Sequence, residues 1–238
     1  MALTVSHLNV PKRVRDVCFT LNKGELVGLI GPNGSGKSSL LKALTGLLPY
    51  QGSVTLNGQA IERYSLKQRA QLLSYLPQAA SSAWALTVAE VIALGRLPWG
   101  DVREDLVRVA AEQTGVSAWL GRRITELSGG EQARVWLARA MVGEPQVLLA
   151  DEPIASLDLY YQRHVLNSLK NLAQAGSTVL VALHDLNLAA RYCDRLCLMD
   201  QGRIHAFGAP FEVLNADNVA EVFNVDLSEL SLTLRPFA

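Results

Sequence analysis

The chain has 238 residues, and its 22 Lys and Arg are balanced by 22 Asp and Glu. That balance excludes the basic field which non-specific nucleic-acid binding requires, so no nucleic-acid partner is expected. With 49% hydrophobic and 18% charged residues, wholesale disorder is excluded, and the longest apolar run, residues 179–183, falls far short of the roughly 18 that a spanning helix needs.

In chain order, residues 3–9, 16–22 and 25–31 alternate or run apolar between turn signals, which predicts strands. Gly31-Pro32-Asn33-Gly34-Ser35-Gly36 then breaks into a helical pattern over 38–47. Residues 51–58 read as a strand ending on the turn pair Asn57-Gly58. From about 65 to 142 the apolar periodicity is mostly helical, and Thr87-x-x-Glu90 and Ser128-x-x-Glu131 are capping boxes that start helices. Strands return at 146–151, 178–183 and 195–200, alternating with helices near 158–174 and 186–193. Residues 208–224 predict a tail with one short helix.

Strand–helix alternation of this kind predicts a mostly parallel sheet, with the helical middle inserted into it. The expected organisation is one α/β domain over 1–238. Its core spans 1–78 and 146–207, a helical subdomain covers about 79–145, and a tail covers 208–238. Cys18, Cys193 and Cys197 are odd in number, and the spacing of Cys193 and Cys197 fits no zinc pattern, which predicts buried free thiols. At the N-terminus the apolar Leu3, Val5 and Leu8 precede the basic Lys12, Arg13 and Arg15, the reverse of a signal peptide. A reduced, cytoplasmic-side protein is expected.

The strongest motif is Gly31-Pro32-Asn33-Gly34-Ser35-Gly36-Lys37-Ser38, with Ser39 following, directly after the apolar segment 26–30. Glycines let successive backbone N–H groups curl around a phosphate, and the helix N-terminus adds partial positive charge. Lys37 is expected to reach the β- and γ-phosphates, and the Ser38 hydroxyl to ligate Mg²⁺. Val147-Leu148-Leu149-Ala150 then leads to Asp151-Glu152. A carboxylate at a buried strand end suits a Mg²⁺ ligand, here Asp151, and Glu152 beside it suits a base for an attacking water. The same pair also suits a solvated turn before Pro153.

Leu127-Ser128-Gly129-Gly130-Glu131-Gln132 adds a helix cap with two glycines that expose backbone N–H groups, a second anion site without a lysine. Taken with the phosphate loop, Asp151-Glu152 and the turn Ser156-Leu157-Asp158, the chain resembles the ATP-binding-cassette (ABC) ATPases from residue 3 to about 207. The resemblance implies a P-loop NTPase core with an antiparallel β subdomain and an inserted α-helical subdomain, and ATP with Mg²⁺ as cofactors. It also assigns three residues that chemistry alone leaves open. Gln78 resembles the family's glutamine that contacts Mg²⁺ or water, and His184 the histidine that holds the γ-phosphate and positions Glu152. Asp158 resembles the aspartate of the loop that crosses to a partner subunit, although it reads equally as a helix N-cap.

One departure concerns the base. The family commonly stacks an aromatic on adenine, and residues 8–15 contain none, leaving Val10 or the Arg13 guanidinium to cover the ring. Ala150 replaces a larger aliphatic, with no catalytic consequence expected.

An importer's motor, an exporter subunit and a non-transport cassette all fit the motifs. The stretch between Ser38 and Leu127 is too short for a chromosome-type coiled coil, and no spanning helices are fused. Residues 88–98 and the tail segment 208–214 with Val222-Phe223 are similar to importers of iron-siderophore, haem and vitamin B12 type, and the absent aromatic leans toward the vitamin B12 branch. Such a resemblance implies a homodimer, an integral-membrane permease, a substrate-binding protein and a peripheral position on the cytoplasmic face. Trp84 and Trp99 read as core ahead of permease contacts.

Overall fold

The structure is a computed structural model that describes residues 2–78, 85–155 and 157–226. Strands β1 (Leu3–Val10) and β2 (Val14–Leu21) form an antiparallel hairpin whose apolar residues do not alternate strictly. Leu3, Val5, Leu8 and Val10 are buried on β1, and Val14, Val17, Phe19 and Leu21 on β2. Each strand therefore carries one surplus residue. The backbone absorbs it as a bulge near His7 and near Asp16, both at φ 51°, which keeps the apolar set inside. β4 (Gln51–Leu56) pairs with the other edge of β1 and with the short β5 (Gln59–Ala60), giving an antiparallel sheet in the order β2-β1-β4-β5.

The second sheet has the order β10-β9-β3-β8-β7-β6, where β3 is Leu26–Ile30, β6 Leu73–Leu76, β7 Val147–Asp151, β8 Thr178–Ala182, β9 Arg195–Asp200 and β10 Arg203–Gly208. Every neighbouring pair is parallel except β9–β10. β3, β7 and β8 are buried along their whole length, the near-continuous apolar pattern of a sheet covered on both faces. Alternate residues of β3 serve two cores. Val27 and Leu29 pack toward the antiparallel sheet and α1 (Lys37–Leu44), while Leu26 and Ile30 pack toward α6 (Leu159–Gln174) and α7 (Leu186–Tyr192).

In the chain between β6 and β7, α3 (Val88–Ala93), α4 (Glu104–Gln113) and α5 (Gly129–Met141) pack on one another. Both capping boxes close. Thr87 Oγ1 accepts the Glu90 N–H at 3.2 Å and Ser128 Oγ the Glu131 N–H at 3.4 Å, while each glutamate carboxylate accepts the N–H of its cap. Among the described residues no helix is long and apolar enough to cross a membrane.

Four expectations need correction. The segment 65–142 is not wholly helical, because α2 (Leu66–Leu72) runs straight into β6. Ser74 and Tyr75 carry no strand pattern, and pairing with residues 147–150 makes the segment a strand. Residues 203–208 form β10, folded back on β9 through Gln201 and Gly202 at φ 44° and 81°. The tail holds two helices, α8 (Pro210–Val213) and α9 (Ala216–Phe223), rather than one. Cys193 and Cys197 are buried, but Cys18 is exposed, since the residue offset near Asp16 puts Val17 and Phe19 inside instead. Trp99 packs against Gly143, where an added Cβ would meet the ring at 2.8 Å, and the Arg96 guanidinium lies 4.3 Å from the ring centroid. Trp84, Ser156 and the end of the tail lie outside the described residues.

Candidate nucleotide site

The phosphate loop connects β3 to α1 at the carboxyl end of the parallel sheet, where open α/β sheets bind ligands. Two of its glycines have a steric reason. A Cβ at Gly31 would sit 2.1 Å from the Met199 carbonyl oxygen, and one at Gly36 would sit 2.7 Å from that of Arg13; both residues have positive φ. The curled loop places the buried Lys37 ammonium against its own carbonyls, donating to Gly31 O at 2.8 Å and Pro32 O at 3.1 Å. Burial pushes the Lys37 pKa down, and Glu152 and Asp151 pull it back up.

Three strand ends converge beside this loop. Asp151 ends β7 and is buried; Ser38 Oγ donates to its Oδ1 at 3.0 Å, and Tyr75 OH, from β6, donates to its Oδ2 at 3.4 Å. Burial pushes the Asp151 carboxyl up while the Ser38 hydrogen bond opposes it. Glu152 follows at φ 52°, with only 12% of its side chain exposed. Gln78, two residues past β6, donates from Nε2 to Glu152 Oε2 at 2.6 Å. His184, just past β8, pairs through Nε2 with Glu152 Oε1. One carboxylate is thus held from both sides by groups on separate strands.

A cavity of ≈ 260 Å³ opens over the loop, lined by Asn33, Gly34, Gly36, Lys37, Ser38 and Ser39 together with Glu152, Lys12 and Arg13. Of the two residues offered for covering the base, only Arg13 lines this space, and its Nη1 donates to Ser39 Oγ at 3.4 Å. Val10 is buried in the core of the antiparallel sheet and does not face it. Ser35 is buried beneath the loop.

Residues 128–130 stand apart. Gly129 lines a second cavity, of ≈ 280 Å³, with Gln78, Trp136 and Glu152, and none of residues 128–130 borders the phosphate-loop cavity. The Ser128 hydroxyl is engaged within its own cap, donating to Glu131 Oε2 at 2.9 Å. A Cβ on Gly129 meets nothing within 4 Å, so this surface is open. Asp158 borders neither cavity and caps α6, accepting the Tyr161 N–H at 3.0 Å. Sequence reasoning missed Tyr75 and Lys12. Tyr75 lies three residues before Gln78, and strand β6 is what turns it toward Asp151.

Comparison with known proteins defines the class. The family described as "ABC transporter" matches residues 14–155, and the chain belongs to that family as one of its ATP-binding ATPases. A hemin import ATP-binding protein, HmuV, from Pseudomonas fluorescens is 44% identical over 238 residues, covering 94% of this chain and 93% of its own. HmuV from Bordetella avium is 40% identical over 247 residues, covering 97% and 95%. Among solved structures, an ABC transporter ATP-binding subunit matches with a TM-score of 0.80 at 26% identity, covering 98% of this chain and 99% of its own. An inward-facing, putative metal-chelate-type ABC transporter matches at 0.81 and 27%, covering 94% and 90%. The α/β P-loop NTPase fold expected from sequence is therefore the fold observed.

Proposed function

We propose that this ATPase is the motor of a haem importer, working as a homodimer on a separate integral-membrane permease at the cytoplasmic face of the membrane. The observation that carries the chemistry is Glu152, held between Gln78 and His184 beside the Ser38–Asp151 pair. Glu152 takes the proton of the attacking water, its orientation fixed by the Gln78 amide and the His184 imidazole. Lys37 leaves the carbonyls of Gly31 and Pro32 to meet the β- and γ-phosphates, and residues 31–39 supply backbone N–H groups around them.

Mg²⁺ fits the donors present. Ser38 Oγ and Asp151 Oδ1 are hard oxygen ligands 3.0 Å apart, with Gln78 on the neighbouring strand end. Bound there, the ion neutralises phosphate charge. Residues 128–130 complete the site from the other chain. They have open amides, no lysine and no place in their own chain's phosphate cavity, which suits a two-fold assembly in which each ATP lies between residues 31–38 of one protomer and 128–130 of its partner. Asp158 belongs to the same contact.

Haem is favoured as cargo because relatives of high identity are hemin import proteins. The lean toward vitamin B12 rests on the missing aromatic alone, and Arg13, which lines the phosphate-loop cavity, is available in its stead. A substrate-binding protein delivers the cargo from the far side. Uptake tests the reading: proteoliposomes holding the chain with its permease, and ATP inside, accumulate haem and neither vitamin B12 nor a ferric siderophore. Accumulation of one of those instead replaces the cargo, and absence of ATP hydrolysis removes the motor.

A further inference from the structure

Midway along the β1–β2 hairpin, His7, Asp16 and Cys18 present one ligand atom each, and the three atoms lie within 4.8 Å of one another. The placement follows from the paired bulges. Buried positions 3, 5, 8 and 10 on one strand and 14, 17, 19 and 21 on the other leave His7, Asp16 and Cys18 all facing solvent on adjacent strands. Asn, Asp and His all tolerate the left-handed backbone that the bulges impose, so the bulges alone do not select an imidazole opposite a carboxylate and a thiol.

The group is also internally held. His7 Nδ1 lies 2.7 Å from Asp16 Oδ1, and the His7 backbone N–H donates to Cys18 Sγ at 3.0 Å. Asn9 ties the two bulges together, accepting the Asp16 N–H at 2.9 Å and donating to His7 O at 2.8 Å. A nitrogen, a carboxylate oxygen and a sulfur form a borderline-soft donor set. Mg²⁺ and Ca²⁺ take oxygen ligands, whereas Zn²⁺ accepts this mixture in a tetrahedral site with water in the fourth position.

We infer that His7, Asp16 and Cys18 bind one Zn²⁺-class ion, which pins the hairpin whose turn carries Lys12 and Arg13 into the nucleotide cavity. On binding, the Cys18 thiol gives its proton to solvent and the His7–Asp16 contact opens to admit the ion.

Cobalt(II) is the probe, because a thiolate–cobalt bond gives a charge-transfer absorption that nitrogen and oxygen ligands do not. The full chain, reduced, stripped of metal and free of nucleotide, is expected to develop this band, to saturate at one equivalent, and to lose it when Zn²⁺ is added. Bound Zn²⁺ is expected to raise Tm by mass action. Cys193 and Cys197 do not supply the band, since both are buried and burial pushes their thiols up to about 12. Cys18→Ser therefore abolishes both the band and the Tm shift, while keeping ATP binding as proof of folding. His7→Ala weakens cobalt binding by about tenfold or more, the scale that losing even an outer-shell partner reaches. A band that survives Cys18→Ser, or no band at saturating cobalt, overturns the site.

Discussion

Two glycine-rich segments of this chain open helices, one from the left-handed Gly36 and one from the Ser128 capping box, and they are finished in different ways. The loop at 31–38 meets Asp151 and Glu152 within its own protomer, Gln78 and His184 in turn hold Glu152, and the loop's lysine is already folded over the carbonyls it encloses. The segment 128–130 has its own cap, an open Gly129 and a cavity shared with Gln78 and Glu152 that no lysine lines. Under the proposed assembly, one chain supplies the hydrolytic half of the site, and 128–130 meets the nucleotide held by the partner.

The largest expected effect tests the first region. Glu152→Gln preserves the shape of the carboxylate but cannot take a proton, so ATPase turnover is expected to fall by about 10²–10⁴-fold, the usual worth of a general base. ATP binding should remain near the parent value. Single-turnover hydrolysis and nucleotide titration separate the two, and near-normal hydrolysis would remove Glu152 from the role. Lys37→Ala inverts the pattern. Loss of a charge-assisted contact to phosphate is worth about 1.5–3 kcal/mol, so ATP affinity should drop by roughly 10- to 150-fold. Equilibrium binding checks it, and unchanged affinity means the lysine never leaves its loop carbonyls.

The second region is tested by assembly. In the Glu152→Gln background with MgATP, sedimentation should show a dimer, in solution or with the permease present. Adding Ser128→Arg should return it to monomer, because a guanidinium would fill the open face over which the partner's phosphate must sit. Destruction of the Ser128 cap alone costs about 1 kcal/mol of stability, which a melting curve registers separately. A monomer with full turnover, indifferent to ATP, would reduce 128–130 to a helix cap.

The contrast also marks what the sequence could reveal. The phosphate loop was legible because its glycines answer to local sterics at Gly31 and Gly36, and the capping boxes because their hydrogen bonds close within four residues. Asp151-Glu152 was legible because an apolar strand must end before charge begins. The sheet's two edge strands were not, since β6 owes its form to pairing with β7 and β10 to a hairpin turn at Gln201-Gly202, neither visible in a period-two pattern. That miss hid Tyr75, whose hydroxyl reaches Asp151 only because β6 is a strand. The hairpin offsets near His7 and Asp16 were hidden for a related reason. Strict alternation was the template, and the surplus residues broke it at the positions that put Cys18 outside.

The smallest predicted effect lies where the two sheets meet, at Arg13. Its guanidinium lines the phosphate-loop cavity and donates to Ser39 Oγ, while Val10 is buried away from it. If Arg13 covers the base, it does so through a planar, delocalised face, which lysine lacks. Arg13→Ala should therefore weaken ATP binding by about two- to fivefold, the scale of an exposed cation–π contact. Arg13→Lys should recover the part of that loss due to charge near the phosphates, but not the part due to stacking. Competition between ATP and GTP reads the second part alone, because both carry the same triphosphate. The ATP:GTP affinity ratio should shrink in both variants by similar factors. A ratio that survives both substitutions assigns the base to some other group, and a loss fully restored by lysine makes Arg13 a phosphate-side charge with no part in reading adenine.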